Sequence, residues 1–87
     1  MFVKDGNHMF NLDHVTDIFI DHYAIDESRY CLKAFISESE SIDFGIYKSS
    51  ENAEVAMNNL FSAMYANMNA WEVMSDDAAT QKLLNDF

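Results

Sequence analysis

The sequence is poor in the residues that break or cross-link a chain. It contains no proline, two glycines and one cysteine. A single cysteine, Cys31, allows no disulfide within the chain, which suits a reducing compartment. Two isolated glycines, Gly6 and Gly45, are too few for a phosphate-binding loop. These absences exclude a disulfide scaffold and a nucleotide-binding glycine motif.

Basic residues are also scarce. Lysine and arginine together number 5 against 15 aspartates and glutamates, for a formal net charge of -10. Phosphate backbones and anionic lipids repel such a chain, so we expect no direct binding of nucleic acid. A protein partner with a basic surface would instead associate rapidly and in a salt-sensitive way. Solubility alone is the other explanation of this charge.

Long apolar runs are missing as well. No stretch approaches the roughly 20 apolar residues of a membrane helix, and the N-terminus lacks the pattern of a secretory signal. We therefore expect no membrane contact and a cytoplasmic location. The chain has 87 residues, of which 49% are hydrophobic. This length predicts one domain over residues 1–87.

The alternation of side chains over residues 1–47 predicts strands. A turn at 5–7 predicts a hairpin between residues 1–4 and 8–12. Three further strands are predicted at 15–23, 29–37 and 41–47. Their apolar face contains Ile18, Ile20, Leu32, Ala34, Ile36, Ile42, Phe44 and Ile46.

The pattern changes to helical spacing after Tyr47. Apolar residues recur every three or four positions, which predicts one long helix over 50–74 whose stripe includes Met57, Leu60, Phe61 and Met64. Residues 75–87 are predicted to form a short helix or a frayed tail. The predicted fold class is α+β: an antiparallel β-meander of about four strands, with the long C-terminal helix on one face.

Side chains with catalytic or metal-binding chemistry are present, but their pattern is not that of a site. His14 and His22 are opposite in parity to Asp17 and Asp21, so a strand would direct them to opposite faces. Cys31 lies within a predicted strand, where a packed and inert thiol is usual. We therefore predict no catalytic residue, no metal site and no cofactor. The expectation is that the protein is not an enzyme.

Two surfaces are candidates for binding. The outer sheet face mixes aromatics with carboxylates, which suits recognition of a basic protein because aromatics anchor and charges steer. Cross-strand pairing that only stabilises the sheet is the alternative. The predicted protein-binding residues are Asp17, Phe19, Asp21, Phe35, Glu38, Glu40, Asp43 and Tyr47. The wide apolar surface of the long helix predicts a homodimer interface at Tyr65, Met68, Trp71 and Met74.

Four stretches carry a resemblance to known proteins: residues 10–18, 29–36, 41–47 and 49–53. Their order resembles small uncharacterised acidic proteins of Gram-positive bacteria and their phages. The resemblance implies a meander with one helix across it, and an origin in a phage or mobile element. Small acidic proteins from such sources often inhibit host defence proteins, and several anti-CRISPR proteins mimic nucleic acid.

We therefore expect a non-catalytic, anti-CRISPR-like inhibitor that occupies a basic, nucleic-acid-binding surface on a host protein. A structural or regulatory homodimer joined through the long helix is the alternative. A small enzyme or metal-binding protein is the least favoured.

Overall fold

The computed structural model describes residues 1–85, and its first element is a tight hairpin. Strands β1 (Phe2–Asp5) and β2 (His8–Asn11) pair antiparallel. Gly6 in the turn has a φ of 58°, in the left-handed region that glycine adopts without a steric penalty. The predicted hairpin is confirmed.

The next three strands form an antiparallel meander, as the alternation predicts. They are β3 (Asp17–His22), β4 (Tyr30–Phe35) and β5 (Ser41–Tyr47), in the order β3-β4-β5. A short 3₁₀ turn at Leu12–His14 connects the hairpin to this sheet.

A β-bulge at Gly45 interrupts the alternation of β5. Phe44 lies opposite Leu32 and Ile46 lies opposite the preceding residue, Cys31, so Gly45 is the extra residue in β5. Beyond a one-residue insertion the two faces of a strand exchange. Ile46 is consequently 44% exposed, whereas Tyr47 is buried. The predicted placement of Ile46 in the core and Tyr47 on the outer face is wrong.

The main helix is shorter than predicted. Helix α1 (Ser50–Tyr65) begins after Ser49, whose side chain accepts a hydrogen bond from the N–H of Asn52. The chain leaves the helix through Asn67, which has a φ of 57°. Asparagine tolerates this left-handed conformation better than most residues and often follows a helix end. The predicted continuous helix over 50–74 is therefore wrong.

The residues that follow this turn form a strand. Strand β6 (Ala70–Glu72) pairs parallel with β1, which places Trp71 opposite Val3. The N–H of Phe2 donates to the carbonyl of Asn69 at 2.9 Å, at the start of the pairing. A second sheet of order β2-β1-β6 results. The α+β class is confirmed, but two three-stranded sheets replace the single sheet of about four strands.

The last described element is helix α2 (Asp76–Asn85), which confirms the short terminal helix among the two predicted alternatives. Its first turn is capped by Ser75, whose side chain accepts from the N–H of Ala78. Asp86 and Phe87 lie outside the described residues. Neither helix within residues 1–85 is long and apolar enough to cross a membrane.

One buried cluster joins both sheets to α1. Its members are Val3, Leu12, Leu32, Ala34, Phe44, Tyr47, Ala53, Ala56, Leu60, Ala63 and Trp71. Ile36, Phe61 and Met64, however, are exposed, against the prediction. Ile36 lies just beyond the last residue of β4. Helix α1 packs mainly against β4 and β5 and less against β3. The side of α1 that carries Phe61 and Met64 is therefore less completely covered.

Candidate functional site

The outer face of the meander, with its β4–β5 turn, carries every predicted protein-binding residue except Tyr47. The strand residues are Asp17, Phe19, Asp21, Phe35 and Asp43. Glu38 and Glu40 are exposed in the turn. The structure thus brings these residues to one side of the molecule, but the charges on that side have unequal surroundings.

Toward the bulge end of this face, the carboxylates are paired internally. The Lys33 ammonium lies 3.4 Å from Asp21 Oδ2 and 3.7 Å from Asp43 Oδ1, and the lysine side chain is only 19% exposed. The His22 N–H donates to Asp21 Oδ1 at 2.7 Å; this bond and Lys33 lower the pKa of Asp21. One cation thus offsets part of the charge of two carboxylates, which weakens their field toward solvent.

Cys31 lies on the same face and is buried in β4, as predicted. Burial, together with the negative charge of Asp43, raises the pKa of its thiol. Nucleophilic attack requires the thiolate, which this environment disfavours. Cys31 therefore contributes packing to this face rather than a reactive group.

Toward the β4–β5 turn, aromatics and carboxylates are accessible together. The rings of Phe19 and Phe35 stack with centroids 5.4 Å apart and planes at 23°. Phe19 is 37% exposed, and Asp17 lies opposite Phe35 in the register. Within residues 1–85, no ion pair involves Asp17, Glu38 or Glu40. We call Asp17, Phe19, Phe35, Glu38 and Glu40 the acidic aromatic patch.

An open groove runs through this patch. Its volume is about 580 Å³, and its lining residues are Thr16, Asp17, Phe35, Ser37 and Glu38. The turn beside it is held by the Ile36 N–H, which donates to the carbonyl of Glu40 at 2.9 Å. The groove therefore combines one aromatic wall with carboxylates at its rim, a combination that suits a cationic side chain.

Tyr47, the remaining predicted binding residue, lies in the core rather than on the outer face. Its hydroxyl donates to the carbonyl of Met74 at 2.7 Å, which ties β5 to the segment before α2. Burial, reinforced by the negative charges of Asp5 and Asp76, raises the pKa of this hydroxyl. Tyr47 is not an anchor for a partner, because its ring lies in the core.

The predicted dimer residues do not share one helix face, because α1 ends at Tyr65. Tyr65 is 84% exposed and Met68 is exposed, whereas Met74 is half-buried. Trp71 is buried in β6, and its Nε1–H donates to Asn59 Oδ1 at 2.8 Å. Trp71 is therefore unavailable to a second copy.

Two residues predicted in the core lie close to Tyr65 on α1. Phe61 and Met64 are exposed near the end of α1. Together with Tyr65, which shares their face of the helix at i, i+3 and i+4 spacing, they form what we call the apolar helix end. Met68 lies beyond the helix and borders a different cavity, with Trp71. The unusual width of the apolar set on this helix was the signal that could have placed them at the surface.

The histidines are far from forming a ligand cluster. His22 Nδ1 lies 3.0 Å from the carbonyl oxygen of Glu27, and His14 is exposed. Throughout residues 1–85, no group of three or more histidine, cysteine, aspartate or glutamate side chains is arranged to hold a metal ion.

Comparisons with known proteins add no relative. No protein-family model, curated protein or solved structure matches this chain. The resemblance to small acidic proteins of Gram-positive bacteria and their phages thus rests on the order of strand and helix signals alone. Function is best argued from the surface that the fold assembles.

Proposed function

We propose that this chain is a non-catalytic protein-binding module whose acidic aromatic patch engages a basic surface on a partner. The observation that carries the proposal is the accessible Phe19–Phe35 stack, set beside carboxylates that have no cationic partner within residues 1–85. Scattered acidic residues would account for solubility alone. An aromatic stack with a groove and unpaired charges suits recognition better.

The two components of the patch have different roles in binding. Aromatic side chains bury a large area at low entropic cost, and truncating an anchor of this kind costs about 2 kcal/mol or more of binding free energy. Asp17, Glu38 and Glu40 at the rim act mainly on the association rate, through long-range attraction of a positive surface. The partner is therefore selected by its charge and held by contacts with the rings.

The class of partner follows from its charge. Strongly basic surfaces on proteins are commonly nucleic-acid-binding surfaces. We therefore propose a nucleic-acid-handling partner whose site this chain occupies in place of DNA or RNA. Inhibition of a host defence nuclease, in the manner of an anti-CRISPR protein of phage origin, is the specific form that the resemblance favours.

A triple variant tests the patch. Asp17→Asn, Glu38→Gln and Glu40→Gln together remove three charges with little change in shape. We expect association with the basic partner to slow by about tenfold or more at low salt, since exposed charges steer encounter. The measurement is stopped-flow or surface-plasmon kinetics at several salt concentrations, with RNA-guided nucleases as the first partners and DNA as competitor.

A matched control removes the same number of charges elsewhere. Glu27, Glu54 and Glu72 are exposed residues on a loop, on α1 and on the second sheet. Changing all three to glutamine should slow association far less than the patch variant. Equal slowing by both variants would show that net charge, and not the position of the patch, determines the association rate. Failure of DNA to compete would contradict the proposal.

A homodimer joined through the apolar helix end is a second proposal, favoured by the exposure of Phe61, Met64 and Tyr65. Because each copy carries a net charge of -10, added salt should strengthen this dimer, opposite to its effect on a basic partner. We expect Phe61→Asp to restore the monomer mass in sedimentation equilibrium. A wild-type monomer at high protein and salt concentration would exclude the dimer.

A further inference from the structure

The side of β3 that faces away from β4 is an open sheet edge. Within residues 1–85, β3 pairs only with β4. Just beyond β3, the N–H of Tyr23 donates to the carbonyl of Arg29 at 2.9 Å. This hydrogen-bonded pair continues the register in which Asp21 lies opposite Cys31. In an antiparallel ladder alternate residues bond to the partner strand. The backbone groups of Ile18 and Ile20 therefore point away from β4.

The edge of β5, by contrast, is partly occupied near its bulge and just beyond its end. The N–H of Gly45 donates to Asp5 Oδ2 at 3.4 Å, and just beyond the strand the N–H of Lys48 donates to Asp76 Oδ1 at 3.2 Å. The edge strands of the second sheet are shorter, at 4 residues for β2 and 3 for β6. With 6 residues, β3 is longer than either of these two strands.

Open space borders the first residues of β3, Asp17 and Ile18, on both faces of the sheet. On the outer face lies the groove of the acidic aromatic patch. On the inner face, a cavity of about 150 Å³ is lined by Ile18, Met57, Leu60, Phe61 and Met64. Another of about 240 Å³ contacts both Asp17 and Ile18. A strand placed along β3 would therefore have a carboxylate-lined side and an apolar side.

We propose that β3 binds an extended basic segment of the partner by strand addition. This rests on the proposed function, since it specifies how a basic partner is held. Main-chain bonds to Ile18 and Ile20 supply affinity, and alternate side chains supply specificity. On the outer face, lysine or arginine residues of the segment lie beside Asp17, Phe19 and Asp21. On the inner face, aliphatic residues reach the cavity beside Ile18.

The charges of β3 disfavour a second copy as the added strand. Antiparallel pairing of two copies about Phe19 would set each Asp17 opposite an Asp21, and like charges opposite each other destabilise a sheet. Two chains of net charge -10 also repel at long range. Edge strands commonly carry lysine or proline, which hinder the addition of another strand. Because β3 contains neither, its edge remains open to a basic segment.

A pair of peptides tests strand addition without altering the protein. The first alternates lysine and valine. The second has the same sequence but carries N-methyl groups on the amides that would face β3. It therefore keeps the charge of the first peptide and loses the N–H groups that would donate hydrogen bonds to β3. We expect the first to bind at least about tenfold more tightly, because the second loses several hydrogen bonds. NMR hydrogen exchange should show about tenfold protection of the Ile18 and Ile20 amides with the first peptide only.

The outcomes separate this inference from the proposed function. Equal, salt-sensitive binding of both peptides without protection at Ile18 and Ile20 would overturn strand addition and leave the basic-surface proposal standing. Protection without salt dependence would support strand addition and contradict that proposal. Failure of both peptides to bind would overturn strand addition. Protection of these amides in a dimer of the free protein would identify a second copy as the occupant.

Discussion

Replacing Phe44 with alanine is expected to lower the free energy of unfolding by about 3–5 kcal/mol. The side chain is fully buried opposite Leu32 in β4, and its ring lies edge-on to Phe10 with centroids 5.2 Å apart. Phe10 belongs to the hairpin, so Phe44 joins the two sheets. The surrounding side chains come from separate elements, and we expect them to collapse only partly into the vacated space.

Urea denaturation followed by circular dichroism measures this loss. Native proteins are typically stable by about 5–15 kcal/mol, so the variant should unfold at a much lower urea concentration. Ile25→Ala is the control, because that side chain lies in the loop between β3 and β4, is 84% exposed, and its removal should cost less than about 1 kcal/mol. Similar midpoints for the two variants would contradict the core described here.

Replacing Gly45 with alanine is expected to cost about 2–4 kcal/mol. Gly45 has a φ of 75°, which strains any residue with a Cβ atom. A Cβ atom there would also lie 2.5 Å from the hydroxyl oxygen of Tyr47. Because that hydroxyl donates to the carbonyl of Met74, displacing the ring would break the tie between β5 and the segment before α2.

Gly6→Ala separates the two sources of this cost. Gly6 has a similar φ of 58°, but a Cβ atom there would meet nothing within 4 Å. Its substitution should cost only the backbone strain, about 1–2 kcal/mol. The difference between the variants in denaturation experiments then reports the contact with Tyr47. Equal losses would show that Tyr47 accommodates the added methyl group.

The five strands within residues 1–47 and the helix starts could be predicted from sequence because their signals are local. Alternation of side chains in β3 and β4 has the period of a strand that buries one face, and the serines at 49 and 75 precede residues with helical spacing. Each of these signals acts over a few residues, and the packing of the fold agrees with them.

The bulge has a sequence signal, but strict alternation of side chains conceals it. A glycine inside a strand often marks a bulge, and Gly45 is the only glycine in the predicted strands. Strict alternation through this residue instead assigned Tyr47 to the outer face. The acceptor of its hydroxyl hydrogen bond, the carbonyl of Met74, is 27 residues away in the chain.

The end of α1 was predicted wrongly because an apolar residue can reach the core from a helix or from a strand. Trp71 fits the helical stripe, yet it is buried in β6, where its Nε1–H bonds to Asn59. Parallel pairing with β1 brings together residues from opposite ends of the chain. The spacing of apolar residues along one segment carries no information about this long-range pairing.

By itself, the sequence determined the net charge, the α+β class and the outer-face residues of β3 and β4, since composition and side-chain alternation are properties of the chain alone. The tertiary structure decided which charges on that face remain available to a partner. The register places Lys33 between Asp21 and Asp43, and within residues 1–85 it leaves Asp17 outside the ion pairs. Electrostatic neutralisation depends on distances of a few ångströms between strands, and these exist only once the sheet has formed.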